Sequence, residues 1–310
     1  MSIQNDILST LSYFDLFDYP LKKNEVFLFL PNTCDYSDFS NAVSDLLIGS
    51  SIFKIDGFYS LRNGYDLSYR RKQGNKKAKE LMLTAEKVAA FLVKFPFVRG
   101  VGVSGSLSKN FADDDSDIDF FIITEKNRLW IARTIMHCFK KFTFLVDKQH
   151  FFCMNYYIDE AMLEIKEKNV YTAIEVVTLV PLEGQNVFNK FFAANTWSKG
   201  FLPNNYLRVS SAKERISPMH KKVFESVFNN IAGNMLDRLL MKITCRRWFI
   251  KTKKKKVNSR GIVMGMDASR HFSKPDPTFY QEKLLQLFSF RSEETIAKYE
   301  NPKTSRLSKS

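Results

Sequence analysis

Residues 101–124, VGVSGSLSKNFADDDSDIDFFIIT, combine two apolar runs with a Gly-Ser turn and an acidic pair. The first run ends at Gly105-Ser106, where glycine permits a tight turn and a close approach of the backbone to a ligand. A helix that starts at this turn would direct its free N–H groups towards an anion such as phosphate. The turn is therefore a candidate phosphate site.

The acidic pair consists of Asp117 and Asp119 at the start of the second apolar run. In an extended strand these two residues point to the same face, while Ile118 and Phe120 point to the other. Two adjacent carboxylates repel each other unless a cation lies between them, and Mg²⁺ is commonly held by one or two carboxylates plus substrate phosphates. The pair predicts a magnesium site, whereas residues 113–115 are expected to form a solvated acidic loop.

This pattern resembles the nucleotidyltransferase superfamily, which includes DNA polymerase beta, the aminoglycoside nucleotidyltransferases and the minimal nucleotidyltransferases. The family combines an apolar strand, a Gly-Ser turn and an Asp-x-Asp, and the resemblance covers roughly residues 76–190. It implies transfer of a nucleoside monophosphate from an NTP to an acceptor, with release of pyrophosphate. It also implies that Asp117 and Asp119 are catalytic and hold Mg²⁺, with two ions when NTP is bound. The residues implied to contact the nucleotide are Ser104, Gly105, Ser106 and Lys109.

The family usually supplies a third carboxylate from the strand after the next helix. In the predicted strand 151–158 the corresponding residue is Asn155, whose carbonyl can ligate a metal but which cannot act as a base. Asp147 before this strand and Asp159 after it are the alternatives. Because the third group mainly deprotonates or orients the attacking hydroxyl, its replacement leaves nucleotide and metal binding expected and turnover open.

The composition indicates a folded protein without a membrane-spanning segment. The 310 residues suffice for two or three domains, and the 45% hydrophobic residues supply real cores. No apolar run reaches about 18 residues, and the N-terminus lacks the basic start of a signal peptide. The four cysteines and four histidines are scattered, without metal-binding spacing. They favour a reducing, cytoplasmic environment.

Residues 1–72 are expected to form a winged-helix-like domain. Asp56-Gly57 lies between two short apolar runs, which is a strong hairpin signal after three helices. A winged helix can read DNA through its third helix, but here that helix carries Asp38 and Asp45 and no Lys or Arg. An acidic face opposes phosphate contact, so a packing or protein-contact role is favoured. The predicted elements are helices at 4–17, 22–30 and 38–48 and a hairpin at 52–61.

An α/β nucleotidyltransferase domain is predicted for residues 76–190, after a polar boundary at 62–75, which places the chain in the α+β class. In its last helix Glu164 and Glu167 are interpreted as a solvated face. Glu175 lies among apolar neighbours, so it is either a buried structural group or a site residue. The predicted helices are 76–94, 127–142 and 163–180, and the strands are 98–103, 119–123 and 151–158.

The C-terminal part carries the charge. Residues 191–310 contain 24 Lys and Arg against 9 Asp and Glu, whereas residues 1–190 contain 23 against 24, for a net +14 overall. A basic helical domain is expected at 191–297. The run Lys253–Lys256 is interpreted either as a solvated loop or as a surface for a polyanion.

Within the C-terminal part, apolar spacing predicts a long helix, or a pair broken at Gly233, over residues 219–250. Its apolar stripe is expected in the core or in a homodimer interface. The expected remaining elements are a loop at 261–277, a helix at 278–288 and a disordered tail at 298–310.

The expected function is Mg²⁺-dependent nucleotidyl transfer with an NTP donor, ATP being the first candidate. An acceptor with phosphates, such as RNA, would suit the basic C-terminal region, and a small polar molecule or a protein side chain is an alternative. Two other classes stay open. One is a nucleotide-binding module without turnover, and the other is a nucleic-acid-binding protein that uses the nucleotidyltransferase fold as a scaffold.

Overall fold

The computed structural model describes residues 2–143, 153–205, 211–257, 263, 265–275 and 280–301. Within these residues the chain forms a small antiparallel sheet near the N-terminus and a larger mixed sheet with helices on both faces. This mixture of helices and sheet agrees with the predicted α+β class. No helix in the described part is both long and apolar enough to cross a bilayer.

The N-terminal region contains the three helices and the hairpin predicted for it. The hairpin turn has positive φ at both Asp56 (54°) and Gly57 (82°), which is the geometry that Asp-Gly favours. Its classification as a winged-helix domain remains a prediction. The elements are α1 (Ile3–Asp15), β1 (Leu21–Lys22), α2 (Lys23–Leu28), α3 (Tyr36–Ile48), β2 (Phe53–Ile55) and β3 (Phe58–Ser60), with sheet order β1-β3-β2.

The polar segment 62–75, predicted as a domain boundary, is mostly helical, because α4 (Tyr65–Leu92) runs through it without a break. Burial explains the continuity. The Arg71 side chain is 1% exposed, is paired with Glu25 at 2.8 Å and stacks over Tyr19. The helix therefore connects the N-terminal region to the larger sheet as one continuous element.

The larger sheet has six strands in the described residues, in the order β7-β4-β5-β6-β9-β8, and its one parallel pair is β5–β6. Its predicted strands β4, β5 and β6 are all present. The elements are β4 (Val98–Val103), α5 (Gly105–Ser108), β5 (Asp119–Thr124), α6 (Leu129–Thr143), β6 (Cys153–Asp159), α7 (Val170–Thr178), β7 (Val180–Glu183), α8 (Gln185–Ala194) and a 3-10 helix (Thr196–Gly200).

Alternation along β5 distributes its side chains between two cores. Phe120 and Ile122 join the core beneath α4 and α6. Phe121 and Ile123 join the core beneath α7 and α8. Asp119 has the parity of Phe121, so the sequence places its carboxylate on the α7 side of the sheet.

The predicted helix 163–180 is too long at both ends. The helix is α7, which begins at Val170 after an Asn169 cap, and Val180 already belongs to strand β7. Consequently Glu164 and Glu167 lie in the preceding loop, not on a shared helix face with Glu175. Pro181 lies in an edge strand, where its missing N–H does not interrupt the sheet.

The C-terminal part is not a separate helical domain. Its strands extend the larger sheet, α10 packs on α6, and α11 packs on α1. The helix break lies at Asn229–Asn230, not at Gly233, because the Asn230 side chain caps the second helix. The elements are α9 (Met219–Phe228), α10 (Ile231–Lys253), β8 (Met266–Ala268), β9 (Phe272–Pro275) and α11 (Tyr280–Glu300).

Two further C-terminal expectations need correction. The loop predicted at 261–277 contains the hairpin β8–β9, which pairs with β6. The disordered tail predicted at 298–310 is wrong at its start, because α11 continues to Glu300. The rest of that prediction, residues 302–310, lies outside the described part. The apolar stripe predicted over residues 219–250 is partly buried and partly exposed. Phe224 and Leu236 pack on the core, whereas Ile231 is 79% and Met235 68% exposed.

Candidate functional site

The Gly-Ser turn lies at the end of β4, directly beside the start of β5. The Ser104 N–H donates to the Asp119 carbonyl oxygen at 2.9 Å, which fixes the distance between the turn and the acidic pair. Gly105 has φ of +70°, and a Cβ there would lie 2.7 Å from Asp119 Oδ2. Glycine is therefore favoured by the backbone, and a Cβ would displace the neighbouring Asp119 carboxylate.

The helix after the turn differs from the expectation. α5 has only four residues, so its dipole is too small to define a phosphate site by itself. Phosphate contacts here would depend on individual groups. The candidates are the N–H of Gly105, the exposed Ser106, the Ser104 hydroxyl and the Lys109 ammonium. The Ser104 hydroxyl donates to the Asp119 carbonyl oxygen at 3.2 Å, and the ammonium returns to within 3.1 Å of the Gly105 carbonyl oxygen.

Asp119 begins β5 and lies in the wall of a cavity of about 350 Å³. The Asn155 side chain donates to Asp119 Oδ1 at 2.9 Å. A bulge produces this contact, because Phe120 pairs with Met154 and Phe121 with Tyr156, which leaves Asn155 as the extra residue. The structure therefore brings Asn155 to the acidic pair, as the sequence position predicted.

Asp117 is placed differently from Asp119. It lies before the strand begins, is partly buried, and is not among the residues that line the cavity. The preceding acidic residues are exposed, with Asp113 paired to Arg70 at 3.0 Å and Asp114 paired to Lys77. They form the solvated loop that the sequence indicated.

Of the alternative third carboxylates, Asp159 does not reach the site. Asp159 is fully buried at the far end of β6, opposite Thr124, and its oxygens accept from the Asn127 N–H at 2.8 Å and lie 2.9 Å from His271 Nδ1. It anchors the C-terminal hairpin to the sheet. Asp147 lies outside the described residues.

Glu175 is the carboxylate that the structure adds to the turn. From α7 its Oε1 lies 2.6 Å from Lys109 Nζ, and its Oε2 accepts from the Gly105 N–H at 3.4 Å. It is a partly exposed group that lines the cavity. Of the two interpretations of Glu175, the structure therefore favours a role in the site over a buried structural role.

A second cavity of about 340 Å³ lies on the other side of the turn, between it and the N-terminal region. Gly105, Tyr171, Glu175 and Tyr280 line both cavities. The second is strongly aromatic, and the further aromatic and basic residues that line it are Tyr13, Phe14, Phe17, Tyr19, Phe111, Arg70 and Lys109.

The walls of the first cavity combine tyrosines with an ion pair. Lys274 of β9 lies 2.8 Å from Glu167, and this contact contributes to holding the pKa of Glu167 below its usual value against the opposing effect of burial. Burial raises the pKa of Tyr156 and Tyr171 well above the usual value for tyrosine. Both phenols therefore stay protonated near neutral pH and can donate hydrogen bonds to a ligand.

Lys274, Tyr280 and Arg70 are site-lining residues that sequence reasoning missed. They lie far along the chain from the Gly-Ser turn, in segments interpreted as loop, last helix and domain boundary. No local pattern marks them, because their proximity comes from strand pairing and helix packing.

The oxygen ligands available at Asp119 and Asn155 fit a magnesium ion that arrives together with its substrate. In the described residues no group of three or more His, Cys, Asp or Glu side chains could hold a metal alone. Asp119 and the Asn155 amide are nevertheless in contact, with Asp117 two residues away. Mg²⁺ commonly takes one or two carboxylates and completes its shell with water and phosphate oxygens. Asn155 would have to turn its amide oxygen towards the ion, since its nitrogen now faces Asp119.

Residues 85–183 match the family model of the nucleotidyltransferase domain. The matched segment runs from the second half of α4 to the end of β7, and it contains the Gly-Ser turn, the acidic pair, Asn155 and Glu175. This part of the chain is a nucleotidyltransferase domain, so the predicted superfamily is confirmed. Comparison of the chain with curated proteins and with solved structures gave no match.

Proposed function

We propose that the chain transfers a nucleoside monophosphate from an NTP to an acceptor hydroxyl and releases pyrophosphate. The observation that carries the proposal is Asp119 in a cavity wall, held against the Gly-Ser turn within a nucleotidyltransferase domain. A bond forms between the acceptor oxygen and the α-phosphorus, the bond to the β-phosphate breaks, and pyrophosphate leaves.

Each residue of the site has a distinct part in the proposal. The Gly105 N–H, the Ser104 and Ser106 hydroxyls and the Lys109 ammonium bind the phosphates and fix the nucleotide for in-line attack. Asp117 and Asp119 would hold Mg²⁺, and the chemistry that the ion supplies when bound is neutralisation of charge on the reacting phosphates. Both carboxylates are near enough in sequence to serve one ion after a local adjustment at Asp117.

The acceptor is proposed to enter the first cavity, because Asp119 and Asn155 lie in its wall. Its volume of about 350 Å³ suits a small molecule or the end of a larger one. Asn155 cannot accept the proton of the attacking hydroxyl, so that proton leaves to water or to a carboxylate that reaches the cavity.

The test is transfer of radiolabel from [α-³²P]ATP, with the other NTPs in parallel, together with an assay for pyrophosphate. Label transfer and equimolar pyrophosphate release, both lost when EDTA removes the metal, are expected. Absence of pyrophosphate release with every NTP and with candidate small-molecule, protein and RNA acceptors would refute the proposed activity.

A second candidate function is nucleotide binding without turnover. It is favoured by one observation, the neutral Asn155 that donates to Asp119 where a third acid would lie. The same assay separates the two, because this candidate predicts metal-dependent NTP binding by calorimetry without any pyrophosphate.

A further inference from the structure

Two of the groups proposed to bind phosphate are already engaged with a carboxylate of the same chain. Glu175 Oε1 lies 2.6 Å from Lys109 Nζ, and Glu175 Oε2 accepts from the Gly105 N–H at 3.4 Å. The first contact is a close charge-assisted hydrogen bond and the second a weaker one. A carboxylate thus lies where a phosphate oxygen would have to bind.

We propose that Glu175 is an internal anion that occupies the phosphate position of the Gly-Ser turn and must be displaced by a nucleotide. The inference rests on the proposed function, since it concerns the same phosphate site. Carboxylate and triphosphate compete for the same ammonium and the same N–H. Because both are anions, they cannot share the position without repulsion in a partly desolvated site.

The charges around Gly105 support competition over a purely structural ion pair. Asp119 Oδ2 also lies against Gly105, at 2.7 Å from the position of a Cβ. Two carboxylates therefore flank one glycine, with the Lys109 ammonium in contact with one of them. A phosphate that approaches Gly105 therefore meets two like charges, and in this proposal Glu175 neutralises Lys109 only while no phosphate is bound.

The arrangement also allows displacement at small structural cost. Ala173 and Ile174 are buried, so the backbone of α7 is held in the core. The Glu175 carboxylate is at the end of a flexible side chain that is 27% exposed and borders both cavities. A rotation of this side chain into either cavity clears the turn without movement of the helix.

The experiment is calorimetric titration of the full chain with inorganic tripolyphosphate and with a non-hydrolysable ATP analogue, each with and without Mg²⁺. Glu175→Gln keeps the size of the side chain and can still accept from Lys109, but it removes the competing charge. It should bind tripolyphosphate about tenfold more tightly than the wild type without Mg²⁺, because a neutral amide is displaced from Lys109 more easily than a carboxylate and does not repel the phosphate.

Glu164→Gln is the matched control. Glu164 forms an ion pair of the same length, 2.6 Å, with Lys168, but this pair is exposed and does not border either cavity. Its affinity for tripolyphosphate should equal that of the wild type. A second variant, Glu175→Asp, retains the charge on a shorter side chain and should bind with intermediate affinity.

Failure of the internal-anion role and failure of the proposed function give different binding results. Equal or weaker tripolyphosphate binding by both Glu175 variants, with wild-type binding measurable, would overturn the internal-anion role and leave the proposed function intact. If no protein binds tripolyphosphate or the ATP analogue, with or without Mg²⁺, the proposed function fails and this inference fails with it.

Discussion

Replacement of Gly105 by alanine tests the geometry of the turn with the smallest possible change. Gly105 has φ of +70°, and a Cβ would lie 2.7 Å from Asp119 Oδ2 and 3.5 Å from Asp119 Cβ. The left-handed backbone costs about 1–2 kcal/mol for a residue with a side chain. The atom in contact is the end of a side chain, so the clash is relieved by rotation of Asp119, which breaks its hydrogen bond with Asn155. That adds about 1 kcal/mol, for a total loss of about 2–3 kcal/mol.

Gly57→Ala is the matched control for this variant. Gly57 has φ of +82°, but nothing lies within 4 Å of its Cβ position, so only the backbone cost of about 1–2 kcal/mol applies. Urea unfolding at 25 °C would measure both losses. Calorimetry with Mg²⁺ and a non-hydrolysable ATP analogue would measure binding at a temperature where both variants are folded.

The two variants should differ more in nucleotide affinity than in the free energy of unfolding. Gly105→Ala should weaken nucleotide binding at least tenfold, about 1.4 kcal/mol, because the displaced carboxylate can no longer hold the metal. Gly57→Ala should bind as the wild type does. Equal nucleotide affinity in the two variants would refute the placement of the nucleotide at this turn.

Three further predictions concern other parts of the chain. Asp119→Asn should abolish Mg²⁺-dependent pyrophosphate release and leave the fold intact, whereas Asp114→Asn, at an exposed pair with Lys77, should leave release unchanged; normal turnover by Asp119→Asn would exclude the carboxylate as a catalytic group. Neutralising Lys253–Lys256 should weaken RNA binding across sequences and reduce its salt dependence, and a gel-shift series in which the full chain binds no RNA at low salt would show this run to be a solvated surface. Burial raises the pKa of Asp237 to about 6 from its usual 3.8, despite N–H donors from Trp130 and Ile131 at 2.9 Å. Because the folded state then holds the proton more tightly than the unfolded state, the stability of the wild type relative to Asp237→Asn should fall by about 2 kcal/mol as the pH rises from 4 to 7; a pH-independent difference in urea unfolding would contradict this.

The sequence by itself determined the domain type and the residues at the centre of the candidate site. Gly105-Ser106 and Asp119 are separated by few residues, and two adjacent apolar strands bring them together whatever the rest of the chain does. Strand alternation also placed Asp119 on the face opposite Phe120, because a period of two follows from the backbone alone. Asn155 is identified through the family resemblance, and its contact with Asp119 depends on a bulge in β6.

Local patterns failed where burial by distant residues decides the structure. The polar stretch 62–75 looks like a linker, but Arg71 within it is enclosed by Glu25 and Tyr19, and the helix continues. The strands β8 and β9 have three and four residues, too few for a periodic signal, and form by pairing with β6.

The contacts of the site that span long sequence distances came only from the tertiary structure. Glu175 is 66 residues from Lys109, and Lys274 is 107 residues from Glu167. Local sequence fixes φ, ψ and side-chain parity, since these depend on neighbouring residues. Which charged groups meet across a cavity depends on how α7 and β9 pack against the sheet, and this packing is determined by the whole chain.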